Sequence, residues 1–398
     1  MAFDKYFSNL KGNNIVTYLG NVLFFLFIFI VLIDPTNTVL HKKDISFLIL
    51  TIYCLLSQKP NVKMLIPIFT MFTAFCIPWV LEEARCTNYD TEEALALLKS
   101  MSPIILLLWV DKFNLIKLSR IPVVISCLIV DILFILMSAY PEIEAAAWAF
   151  TDSHGAPIMM SRRWFFGIEI FAVYLKSTPA LIFVLIYYIY CLFDKELRSV
   201  RRILFLIIIL FNFAVSGTRS TMLVPLFLFG IVVFFHYRKH KDFKYFIYPA
   251  IILCAFLFFA ILVILASDTS EASNEVKYAH IPSYIALFEN HPLDLIIGEG
   301  PGTSFYSEGF NQIVYKTEWS YLELIRSFGI FSLLIIAVFA YPLITLWRYR
   351  NNEFTYCIFW TYTAYLLIAG TNPLLLSSTG MIALLFVYSY SSQLKSRI

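Results

Sequence analysis

Apolar runs near the length that crosses a bilayer recur from one end of this 398-residue chain to the other. About twenty such residues span a hydrocarbon core of roughly 30 Å as a helix. Hydropathy places about twelve spans, near 17–34, 45–58, 62–80, 94–110, 121–139, 164–191, 203–216, 221–236, 245–266, 321–346, 355–370 and 373–391. The second is short. The seventh and eighth are joined only by Gly217, Thr218, Arg219 and Ser220, so their hairpin tip stays at the membrane surface. Composition agrees: 60% of residues are hydrophobic, mean hydropathy is +0.77 and only 14% are charged, against about 25% in soluble domains. A soluble enzyme, a nucleic-acid reader, a disordered tail and a single-anchor protein are excluded. The expected fold is a single all-α, polytopic integral membrane domain over residues 1–398.

Charge placement orients the spans. With both termini cytoplasmic, the opposite face holds eight of the 30 basic residues (Lys42, Lys43, Arg85, Arg162, Arg163, Arg219, Lys277 and Lys316), and Lys99, Lys176 and Arg326 fall inside spans. The other 19 lie on the cytoplasmic side, as the positive-inside rule requires. The cytoplasmic loops are short and basic, with no glycine-rich phosphate loop and no Asp-x-Asp pair, which argues against ATP hydrolysis or use of a nucleotide sugar. Of the seven cysteines only Cys86 falls outside an apolar run, so no disulfide framework is expected. The six histidines lack metal-ligand spacing, and neither a metal nor a cofactor is expected.

Two segments remain on the outer face. The smaller, 140–163, carries Glu142, Glu144, Asp152, His154, Arg162 and Arg163; the larger, 267–320, is the longest polar stretch of the chain. Long loops in compact proteins tend to be functional, so the activity is expected on this face. Within the larger loop, apolar residues at 281, 284, 285 and 288 have helical spacing, and Asn290 with Pro292 supplies a stop. The pattern predicts a short amphipathic helix lying on the bilayer surface. Gly298, Gly300 and Gly302 follow in a turn that permits close backbone approach. From about Glu318 the chain turns helical again, which makes Glu323 and Arg326 i,i+3 neighbours able to pair and leaves Glu318 at the membrane edge. Asp131 and Lys176, both read as mid-span, are costly there unless partnered, and the adjacency of their spans predicts that they pair.

Three stretches taken together resemble the O-antigen polymerase and O-antigen ligase family (Wzy-type proteins). Ser216 to Ser220 on the hairpin tip is similar to that family's "SGSR" element. Tyr284 to Pro292 followed by Gly298 to Phe305 is similar to its "hPl.G.G...f" element, and Tyr321 to Gly329 to its "yLelL.e.G" element. They occur in the family's order over roughly 215–330. Two departures accompany them: Glu318 and Trp319 stand where ligase-like members carry His-Asn, and Lys277, with His280 nearby, stands where an arginine is usual. The resemblance implies a GT-C-like glycosyltransferase of the bacterial inner (cytoplasmic) membrane, joining undecaprenyl-diphosphate-linked oligosaccharide repeat units into a surface polysaccharide such as O-antigen or capsule. Its partners would be that lipid-linked oligosaccharide, membrane lipid, a chain-length regulator and a flippase; no nucleic acid is implied. An O-antigen-ligase-like transferase to another acceptor and a flippase for the lipid-linked oligosaccharide are the rival readings.

Such a transfer needs a group to hold the leaving diphosphate and a base for the attacking hydroxyl. Arginine's fixed fork of donors suits the first, and Arg219, on a very short hairpin without a carboxylate beside it in sequence, is the leading candidate. Glu318 is the candidate base. Lys277, His280, Arg326, Tyr321, Arg162 and Arg163 are candidate substrate contacts. The plainer alternatives are a lipid-headgroup anchor for Arg219, Arg162 and Arg163, a helix cap for Glu318 and a structural pair with Glu323 for Arg326.

Overall fold

A computed structural model describes residues 15–85, 89–154, 158–165, 168–238 and 272–395. The expected span at 245–266 and the first residues of the long loop lie outside them. The helices in chain order are α1 (Ile15–Ile33), α2 (Lys43–Ser57), α3 (Leu65–Arg85), α4 (Thr91–Met101), α5 (Leu115–Ala139) and α6 (Pro141–His154). There follow α7 (Ile182–Phe193), α8 (Val200–Val215), α9 (Arg219–Tyr237), α10 (Ala272–Asn290), α11 (Asp294–Ile297), α12 (Ser320–Phe328), α13 (Ser332–Arg348), α14 (Glu353–Gly370) and α15 (Ser378–Lys395). Short 3₁₀ segments extend α3, α4 and α7 and join α12 to α13.

Among the described residues, six continuous helical stretches are long and apolar enough to cross a membrane: Ile15–Ile33, Val62–Arg85, Thr91–Lys112, Leu115–Ala139, Arg219–Tyr237 and Ser320–Arg348. They mark a mostly helical, membrane-embedded protein. The helices found at the other expected spans are shorter, as in α2 (15 residues) and α8 (16 residues), or less apolar, as in α14 and α15. Aromatic side chains fill much of the core. Trp109, Phe183, Tyr362 and Tyr365 are buried, and Phe183 packs 6.2 and 5.8 Å from the two tyrosine rings.

The fold departs from an all-α reading at two hairpins. β1 (Ile158–Phe165) pairs antiparallel with β2 (Ile168–Leu175), from Ile158 opposite Leu175 to Phe165 opposite Ile168. The stretch expected as one helix over 164–191 is therefore a strand, a turn and then α7. Thr178 and Pro179 mark the break: proline donates no backbone hydrogen bond and is tolerated in the first turn of a helix, and it stands second in the 3₁₀ turn Thr178–Leu181 that leads into α7. Lys176 consequently sits in the turn after β2, not mid-span. It does not pair with Asp131, whose Oδ1 accepts from Asn212 Nδ2 at 3.3 Å. The second hairpin, β3 (Phe305–Ser307) with β4 (Gln312–Val314), lies in the long loop.

In that loop the helix is longer than the spacing predicted, nineteen residues from Ala272 to Asn290. Its buried residues are His280, Ser283 and Tyr284, at i, i+3 and i+4, whereas Ile285 is 52% exposed. The face packs on the loop's own interior: Tyr284 lies 5.3 Å from the Phe305 ring and His280 4.6 Å from Phe310. The Tyr284 hydroxyl and His280 Nδ1 find partners inside the loop, a circumstance apolar spacing does not register.

Candidate functional site

Arg326 organises the end of the molecule that carries the long loop. It is 1% exposed and follows Glu323 by one helical turn on α12. Its Nη2 lies 2.9 Å from Glu323 Oε2 and its Nη1 2.7 Å from Glu299 Oε2. Nη1 also donates to Thr303 Oγ1 at 3.0 Å and Nη2 to the Tyr315 carbonyl at 2.8 Å, while the guanidinium lies over the Phe305 ring. The predicted Glu323–Arg326 pair is present, but as the hub that ties the glycine turn, both strands and α12 together. A side chain this enclosed holds the loop in place. The other oxygen of Glu323 accepts from Tyr284 Oη at 2.5 Å and from the Thr317 amide at 2.7 Å. Burial first, then Glu323, pushes the Tyr284 phenol well above its usual range; burial likewise raises the Glu299 carboxyl against the opposing pull of Arg326.

The glycine turn lets the loop lie flat on the helix ends. Gly298 has φ +84°, and a Cβ there would stand 2.6 Å from the Ser327 carbonyl oxygen. Glu299 and Gly300 amides donate to the Arg326 and Ser327 carbonyls at 2.8 and 3.0 Å, occupying acceptors that the end of α12 would otherwise leave open. On the far side, Arg85 at the end of α3 pairs with Asp294 at 2.9 Å, and the Asp90 amide donates to the Gly302 carbonyl at 2.9 Å.

Around this frame the structure brings three of the sequence candidates into one neighbourhood. Arg219, the first residue of α9, donates from Nη1 to Asn274 Oδ1 of α10 at 3.1 Å. One turn along α10, Lys277 Nζ is 3.0 Å from Glu318 Oε2 and 3.3 Å from the Thr371 carbonyl. Residues three apart on a helix lie about 5–6 Å from each other at Cβ, so hairpin tip, loop helix and the approach to α12 converge. Trp319 Nε1 donates to the Lys277 carbonyl at 2.9 Å and steadies that junction. Glu318 is thus ion-paired; its side chain remains 37% exposed and that of Lys277 24%, which leaves both open to solvent.

The remaining candidates lie elsewhere. His280 is fully buried; Nδ1 is 2.7 Å from Ser307 Oγ, Nε2 meets no partner, and burial lowers its pKa. Tyr321 Oη donates to the Leu366 carbonyl at 2.9 Å, anchoring α12 to α14. Arg162 on β1 pairs with Glu144 of α6 at 2.9 Å and holds that carboxyl below its usual range. Arg163 stands on β1 opposite Ile170 in the ladder; its side chain lies outside the described set. That hairpin packs on α5, α6 and α8.

Sequence reasoning missed a cavity of about 190 Å³ between α4, α12 and the 371–377 turn. Glu93, Ser100, Lys316, Thr317, Glu323 and Ser327 bring polar groups to its wall. Lys316 also acts on Lys176, whose pKa is lowered by burial and then by that second ammonium. The only advance signal was proximity in sequence, since Lys316 and Thr317 immediately precede Glu318. In comparison with known proteins, the chain matches no family model, no curated protein and no solved structure.

Proposed function

We propose that this protein is a membrane glycosyltransferase that polymerises undecaprenyl-diphosphate-linked oligosaccharide repeat units at the extracytoplasmic face of a bacterial cytoplasmic membrane. The convergence of Arg219, Lys277 and Glu318 from three separate elements carries this reading. Two cations and a carboxylate on one half-buried edge, at the end of apolar helices, match what the transfer requires. The motif resemblance over roughly 215–330 supplies the substrate class, and the uneven distribution of basic residues supplies the side.

In this reading Arg219 and Lys277 bind the diphosphate of the growing chain. Drawing Lys277 onto phosphate releases Glu318 from its ion pair. Glu318 then takes the proton from a hydroxyl of the incoming unit as that oxygen attacks the anomeric carbon. The anomeric C–O bond breaks and its electron pair leaves with the diphosphate. The cations stabilise the charge that develops on the leaving group, and the carboxylate provides general-base catalysis.

The test uses purified protein in lipid nanodiscs with the host's lipid-diphosphate-linked repeat unit alone, products being resolved on a gel. A ladder spaced by one repeat is expected. Glu318→Gln should slow it about 10²–10⁴-fold, the usual contribution of a general base, and Arg219→Ala about 10²–10³-fold, as for loss of one oxyanion donor. Full-length polymer from either variant at equal protein level would remove that residue from the mechanism. Product only after a second acceptor is added would make the protein a ligase-like transferase, and no product with any acceptor would leave transport of the lipid-linked unit.

A further inference from the structure

The cavity beside α12 has two unlike carboxylates. Glu323 is closed: one oxygen takes Tyr284 Oη and the Thr317 amide, the other takes Arg326. Glu93 is open. As the third residue of α4, with Asp90 at the N-cap, it is placed to reach back to the Asp90 amide in a capping box. That amide instead donates to the Gly302 carbonyl, while the Asp90 side chain accepts from Glu92. Glu93 therefore lines the cavity without a hydrogen bond or ion pair among the described residues. The hydroxyls of Ser100 and Ser327 line it on the same terms. The apolar side chains of Leu97, Leu324, Pro373 and Leu376 line it as well.

An acceptor carboxylate, uncommitted hydroxyls and an apolar wall narrow the occupant. A phosphate would meet two carboxylates, Glu93 and Glu323, against the single lining cation Lys316, and an acyl chain would strip water from Glu93 and both serines without replacing its hydrogen bonds. A sugar ring satisfies both kinds of group, with hydroxyls for the polar ones and C–H faces for the apolar ones. The volume, about 190 Å³, falls below the roughly 300–1,000 Å³ of pockets for drug-sized ligands, which favours one ring over several. We propose that this cavity binds a single sugar ring of the lipid-linked repeat unit, with Glu93 accepting from one of its hydroxyls. The proposal rests on the glycan-polymerase reading for the identity of the saccharide. Thr317, which lines the cavity, is adjacent in the chain to Glu318, so the ring would sit next to the proposed base.

Two variants separate this proposal from that reading. Glu93→Gln keeps the shape and removes the charge; Ala96→Trp, at an exposed lining position of α4, fills the cavity from its rim without entering the core. The probe is the repeat-unit oligosaccharide released from its lipid diphosphate by mild acid. Binding to full-length protein in nanodiscs is read by saturation-transfer NMR and calorimetry, with melting curves as the folding control. Glu93→Gln should weaken binding about tenfold and Ala96→Trp should abolish it, both melting as wild type does. Wild-type protein that binds no saccharide, or variants that bind and polymerise like wild type, would overturn the pocket while leaving polymerisation intact. Saccharide binding lost in both variants, with no ladder from wild type on the lipid-linked unit, would overturn the polymerase reading and keep the pocket. Should Ala96→Trp fail to fold, Glu93→Gln decides alone: unchanged affinity sinks the proposal.

Discussion

Arg326 and Lys277 separate two kinds of cation that look alike in sequence. Each has a nearby glutamate, but Arg326 is enclosed between Glu323 and Glu299 whereas Lys277 and Glu318 face solvent. Removing one member of a buried ionic network strands the rest and costs about 3–5 kcal/mol. Arg326→Met should therefore lower the melting temperature sharply and expose the 298–320 loop to protease. Lys277→Met should cost no more than about 1 kcal/mol, typical of an exposed pair, while reducing polymer output. Equal melting of the two variants would contradict the hub assignment. The i,i+3 spacing was enough to foresee the Glu323–Arg326 pair. It could not foresee Glu299, 27 positions away, because only the glycine turn folds it back. His280 carries the pH prediction at this scale. Burial depresses its pKa, so the unfolded chain binds the proton more readily than the folded one, and stability falls as pH drops from the ordinary value near 6.5 toward the lowered one. Above that ordinary value no penalty applies. His280→Gln should flatten the loop's melting profile as pH falls below the ordinary histidine value of about 6.5; an unchanged slope would refute the assignment.

Among the elements, the glycine turn and the β1–β2 hairpin show why local pattern was informative in one place and misleading in the other. Glycines at alternate positions gave a turn from sequence, and the positive φ values at Gly298, Gly300 and Gly302 bear that out. At Gly302, φ is +94° and a Cβ would sit 2.4 Å from the Asp90 carbonyl oxygen. A residue forced into sparsely populated backbone costs of order 1–3 kcal/mol, and here the clash adds to it. Gly302→Ala should thus loosen the seam between the loop and α4, where Tyr89 also bridges Thr303, and raise hydrogen exchange across 298–304 while α13 stays protected. Exchange unchanged at that seam would show the contact to be dispensable. The hairpin misled because an apolar strand leading directly into an apolar helix has the length and hydropathy of one long span. Period alone does not separate a short buried strand from a helix; the Thr178–Pro179 step was the local clue, and it carried less weight than continuous hydropathy.

For the whole molecule, the helical, membrane-embedded character was legible because it follows from composition along the chain; of the twelve expected spans, six stretches among the described residues are long and apolar enough to cross, and the juxtaposition of Glu93 with Ser327 depends on how α4 and α12 meet. Orientation is the property that joins the two levels. If the loop end faces outward, Ser153, Lys316 and the turn after β2 share one side, and the stretch between α7 and α8 takes the other. Single cysteines at these positions, read with a membrane-impermeant maleimide in right-side-out vesicles, test it. Ser153→Cys and Lys316→Cys should label in sealed vesicles, and Glu196→Cys only after permeabilisation. Lys176→Cys is the discriminating position: a single helix over 164–191 would hold it roughly 16 Å below the surface at 1.5 Å per residue, out of the reagent's reach. With the helix starting only at Thr178, and with Lys316 alongside, it should label from outside at a rate below Lys316→Cys, because residue 176 is half-buried and residue 316 exposed. Labelling of Lys176→Cys only after permeabilisation would reverse the orientation, and with it the face assigned to Arg219, Lys277 and Glu318. No labelling under either condition would restore the long helix and remove the lysine from the loop end.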